Sequence, residues 1–142
     1  MLKKFLSKNI QVLDQIETWR EAIKIAAVPL VEDMSITHEY IISMIENVEK
    51  NGSYIVIAPG VAIPHSRPEH GVLKTGLSLL KLKKGVMFPE EKEVKIIFVL
   101  AANDNETHLE LISELANLIM EEEQVAKLFL AKNEAEALEC IN

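Results

Sequence analysis

The chain has 142 residues, 49% hydrophobic and 26% charged, enough for a single domain with a sizeable core. Its net charge of −7 is uneven: from Asp104 onward ten acids stand against Lys127 and Lys132, which is −8, so the first 103 residues net +1. There is no basic stripe, no apolar run of membrane-spanning length and no apolar segment after MLKKFLSKNI, so nucleic-acid binding, membrane insertion and export are disfavoured and a cytoplasmic protein is expected.

In chain order, Asn9 to Ile16 reads as a short strand. Thr18-Trp-Arg-Glu21 has the form of a capping box and opens a helix whose inward stripe is Trp19, Ala22, Ile23, Ala26 and Leu30. Pro29 should kink or interrupt it, because proline lacks the N–H that the helix needs there. A second helix starts at Thr37, with Ile36 and Ile41 placed as a hydrophobic staple. Tyr40, Ile41, Met44, Ile45 and Val48 form its buried stripe, and Lys50-Asn-Gly52 ends it. His38 falls on its exposed first turn. Tyr54 to Ala58 and Thr75 to Leu82 read as strands, Lys83-Lys-Gly85 as a turn, and Val94 to Ala102 as a strand covered on both faces. Asn103-Asp-Asn105 caps the next helix, with Leu109, Ile112, Leu115, Ala116 and Ile119 facing inward. Two short helices, near 122–131 and 134–141, finish the chain. The lone Cys140 reads as a packing residue. Helices and strands interleave without repeats or a linker, which gives one α/β domain over 1–142 with a mixed sheet covered by helices.

The informative stretch is Ala58 to Gly71, APGVAIPHSRPEHG, which holds Pro59, Pro64 and Pro68. Prolines stiffen the backbone, and the segment so held presents His65, Ser66, Arg67, Glu69 and His70 in a defined place. Next to Pro64, the neutral imidazole of His65 suits a general base, a metal ligand or a phosphoryl acceptor. Asn103 to His108 is the second constellation: His108 lies in the first turn of a helix, where unpaired N–H groups favour an anion.

Gly52 to Val72 closely resembles the active-histidine segment of the IIA components of bacterial phosphoenolpyruvate-dependent sugar phosphotransferase systems, in the mannitol/fructose superfamily. Glu17 to Ile25 and Asn105-Glu-Thr-His-Leu109 are similar to the flanking segments of the L-ascorbate type. The resemblance implies an α/β domain with about five strands in a mixed sheet. By it, His65 carries the phosphoryl group on Nε2, received from the phosphocarrier protein HPr and passed to a IIB component, with the membrane IIC component reached only indirectly. His108 matches the supporting histidine, and Ser66 and Arg67 are candidates to bind the phosphoryl group. No cofactor and no metal are implied. The mannitol-type proteins carry an arginine late in the helix before the active segment, where this chain reads Glu46-Asn-Val-Glu49; cationic help then falls to another residue, with Arg67 the candidate.

Two other readings compete. A metal hydrolase would draw on His65, His70, His108, Glu69 and Glu110, but there is no paired-ligand signature such as HExxH. A regulatory module would sense phosphorylation state without serving transport.

Overall fold

The computed structural model describes residues 1–141. Six helices and five strands follow in the order α1 (Leu2–Leu6), β1 (Ile10–Leu13), α2 (Trp19–Glu32), α3 (His38–Asn51), β2 (Val56–Ala58), β3 (Gly60–Ala62), β4 (Gly76–Phe88), β5 (Lys92–Ala101), α4 (Asn105–Met120), α5 (Glu122–Leu130) and α6 (Glu134–Glu139), with a 3₁₀ turn at Pro68–His70 between β3 and β4. The strands form one mixed sheet in the order β1-β4-β5-β3-β2. β1 runs parallel to β4 and β3 parallel to β5, whereas β4 and β5 form a long antiparallel pair.

Alternation along β5 builds two cores. Ile97, Val99 and Ala101 face α2 and α3, joined by Leu30, Tyr40 and Met44. Ile96, Phe98 and Leu100 face the other layer, with Leu6, Leu111, Leu115 and Leu128. A central sheet buried on both faces therefore needs the nearly unbroken apolar run that β5 carries.

Pro29 does not interrupt α2, which continues to Glu32. The carbonyl that loses its partner, on Ile25, instead accepts a hydrogen bond from Gln11 Nε2 at 2.7 Å. A side chain from β1 thus satisfies the group that proline orphans. The Thr18 hydroxyl caps α2 by accepting from Glu21 N at 3.2 Å. Ile36 and Ile41 are both buried at the entry of α3.

The sequence reading placed no element before Asn9, yet α1 packs Leu2 and Leu6 into the core. Three further expectations change. Residues 83–85 are no turn: β4 runs through them over a register shift between Lys81 and Val86, and the chain reverses at Pro89–Glu91, where Glu90 and Glu91 adopt positive φ. Gly85 is needed there because a Cβ would run into the Glu93 side chain. The stretch after Ala58 contains a strand, β3. Finally, Leu109 is 65% exposed, and Leu111, Leu115 and Leu118 form the buried stripe of α4.

Candidate active site

β3 and β5 are parallel neighbours, so the segments leaving their C-terminal ends emerge side by side. That end of parallel strands is where open α/β sheets present ligand sites. His65 follows β3 and His108 lies just after β5, on α4. Their ring centroids are 5.4 Å apart with an interplanar angle of 59°. The Tyr54 ring meets His65 edge-on at 6.1 Å. A cavity of about 280 Å³ is lined by both histidines together with Tyr54, Asn47, Ser66, Arg67, Pro68 and Asn105.

His65 is half-buried, and its Nδ1 sits 2.8 Å from the Ile63 carbonyl oxygen. A carbonyl only accepts, so Nδ1 carries the proton and Nε2 keeps its lone pair. The backbone leading into His65 is pinned. Ile63 N donates to Ile55 O at 2.9 Å, and Pro64 O accepts from Leu100 N at 3.1 Å.

α3 holds the next residue. The phenol of the fully buried Tyr40 donates to Leu100 O at 2.6 Å and accepts from Ser66 N at 2.9 Å. Burial is the main reason its pKa is pushed up to about 12. The Ser66 hydroxyl contacts Ser43 Oγ and accepts from Asn47 Nδ2 at 3.3 Å. Tyr40, Ser43 and Asn47 share one face of α3 by spacing, so one helical stripe fixes Ser66 at its backbone and its side chain. Ser43 and Asn47 did not stand out in the sequence. The available signal was that polar spacing beside the apolar stripe.

His108 is half-buried. Its pKa is lowered, first by burial and then by the nearby His65. Asp104 caps α4, its carboxylate accepting from Thr107 N at 2.7 Å. That hydrogen bond is the largest cause holding the Asp104 carboxyl below its usual range. One first-turn N–H is therefore already engaged by an acid. Arg67 lines the cavity but is 81% exposed, 4.0 Å from Glu69. Glu49 is paired with Arg20 at 2.8 Å. His70 turns the other way, its Nδ1 3.2 Å from Ser43 Oγ, and among the described residues no three His, Cys, Asp or Glu side chains converge as metal ligands would. The hydrolase constellation of His65, His70, His108, Glu69 and Glu110 is not assembled. No helix among the described residues is long and apolar enough to cross a membrane.

Residues 4–142 match the profile of the family described as phosphoenolpyruvate-dependent sugar phosphotransferase system, EIIA 2. The chain belongs to this family. The EIIA chain is 40% identical to an ascorbate-specific EIIA component of Escherichia coli, over 96% of its own length and 90% of the relative's. It is 38% identical to the mannitol-specific cryptic enzyme IIA component of the same organism, over 97% and 95%; a solution structure of that cryptic enzyme IIA superposes with a TM-score of 0.90 at 36% identity, covering 98% of this chain and 96% of the other. The IIA of a mannitol IIA complex with phosphorylated IIB, also from Escherichia coli, gives 0.81 at 28% identity, over 93% and 92%. The EIIA chain is thus a phosphotransferase component of the mannitol/ascorbate type.

Proposed function

We propose that this component accepts a phosphoryl group on Nε2 of His65 from the phosphocarrier protein HPr and passes it to a IIB component, on the cytoplasmic side of an L-ascorbate uptake system. The observation that carries the reading is the Nδ1–Ile63 contact of 2.8 Å. It holds the imidazole in the tautomer whose Nε2 lone pair attacks phosphorus without first losing a proton. As the Nε2–P bond forms, the donor's N–P bond breaks and its electron pair returns to the donor imidazole. The ring left on His65 carries positive charge, which strengthens the Nδ1–H bond to the carbonyl. Chemistry of this kind is positioning and charge stabilisation, and needs no further covalent group.

His108 serves as the supporting residue. With its pKa lowered by burial it is neutral at neutral pH, able to donate one N–H to a phosphoryl oxygen. The mannitol IIA that matches this fold is recorded in complex with its phosphorylated IIB, which supports IIB as acceptor. The ascorbate-specific relative supports the sugar. Replacing His65 with alanine should leave the fold intact and abolish labelling by the phosphoenolpyruvate-driven cascade; labelling to unchanged stoichiometry would overturn the assignment. The sugar is tested by uptake of ascorbate against mannitol in a strain lacking the chain.

A further inference from the structure

The cavity beside His65 has to hold a group bearing about two negative charges, yet its surroundings offer little positive charge. Arg67 is largely in water and faces Glu69. His108 is held towards its neutral form. The adjoining hollow, of about 360 Å³, is net acidic, with Glu39, Glu46 and Glu69 against the single Lys50 in its wall. Asn47 lines both spaces and stands between them.

We propose that Asn47 and Ser66 form a neutral two-donor cradle that contacts the phosphoryl oxygens on His65 and takes the place of a cation. This rests on the phosphoryl-carrier reading above. The amide of Asn47 has two N–H donors, and one is directed at Ser66 Oγ at 3.3 Å. The Ser66 hydroxyl is an acceptor in that bond, so what it can donate depends on Ser43. If His70 donates from Nδ1 to Ser43, then Ser43 donates to Ser66. Ser66 then accepts twice and its own proton is free for an oxygen in the cavity. In the opposite polarity, Ser66 donates to Ser43 and is lost as a donor. The array Asn47–Ser66–Ser43–His70 therefore has one polarity suited to the phosphorylated state.

The test is the equilibrium ratio of phosphorylated IIA chain to phosphorylated phosphocarrier protein, read by phosphorus NMR with the full-length chain. Asn47→Ala should lower this ratio about 10–100-fold, the effect of one hydrogen bond to a charged group. Asn47→Asp should lower it further, and Asn47→Arg should return it to the wild-type value or above. A merely structural role for Asn47 predicts that Asp and Arg move the ratio in the same direction, and that result overturns the cradle. So does an unchanged ratio in all three variants. Circular dichroism confirms that each variant is folded; if Asn47→Ala is not, the opposed Asp and Arg shifts still decide, and if none of the three folds Asn47 is a structural residue and the cradle is overturned. Failure of the wild-type chain to form phosphohistidine overturns the underlying reading instead, so the two failures are distinguishable.

Discussion

Removing one oxygen atom, in Tyr40→Phe, should damage stability and site together. The phenol bridges two backbone groups that have no equivalent partner: the Leu100 carbonyl at 2.6 Å and the Ser66 amide at 2.9 Å. Leu100 turns both its polar groups toward this segment, since its N–H already donates to Pro64 O; the phenol in effect continues the sheet where β3 ends. Phenylalanine fills the same space but leaves an acceptor and a donor stranded, each costing about 1–3 kcal/mol when buried. Ser66 is only half-buried, so water recovers part of its share, and the expected loss is about 2–4 kcal/mol. With a urea dependence of about 1–3 kcal/mol per molar, the midpoint should fall by roughly 1–2 M. A second arm uses pH. Because the folded-state pKa of Tyr40 is raised from the ordinary 10.0 to about 12, its contribution is full below pH 10 and is lost as pH rises through about 12. The wild type should lose that increment across the window and Tyr40→Phe should not. A stability change under about 0.5 kcal/mol at neutral pH, the size of an ordinary surface substitution, would refute the bridging role.

Gln11→Ala should cost about 1–3 kcal/mol by orphaning Ile25 O, and the cost should shrink by at least about 1 kcal/mol in a Pro29→Ala background, where residue 29 regains its N–H; additive denaturation values would refute this. By NMR titration His108 should protonate below the ordinary 6.5, so the stability linked to its neutral form is full above about pH 6.5 and is lost as pH falls through the lowered pKa. In a His65→Ala background the value should rise yet stay below 6.5, because burial is the larger cause; a return to 6.5 would refute that order.

Much of the fold was legible because local signals agreed with tertiary packing. The Thr18 cap, the Ile36–Ile41 staple and the apolar run of β5 all stand where the sequence places them. Errors came where two patterns of equal local merit compete. In α4 the expected stripe holds in part: Leu115 is buried and Ile112 and Ile119 pack against the core, but docking against the sheet buries Leu111 and Leu118 as well and leaves Leu109 exposed. Lys83-Lys-Gly85 looks like a turn because its lysines are exposed and its glycine small, but that glycine answers a close approach by Glu93 across the ladder. β3 was hidden by Pro59 and its brevity. At the site, the local stiffness around His65 could be read from its prolines. Its juxtaposition with His108 depends on two parallel strands ending together, which no local spacing encodes; the family resemblance supplied the pairing.

The pinning of the His65 segment has a kinetic consequence for encounters with other proteins. One end is tied through Pro64 to Leu100, and the other closes where Thr37 N donates to Gly71 O at 2.9 Å. Gly71 adopts φ +128° there, and a Cβ would collide with the Thr37 side chain. Ordering a free backbone costs about 1–2 kcal/mol per residue, and for residues 65–70 that cost is met when the chain folds. A partner therefore meets a surface already in its final shape, with little ordering entropy to charge against association. On the phosphoryl-carrier reading proposed above, which has the chain bind a donor and an acceptor protein in turn, such rigidity favours fast exchange over tight binding.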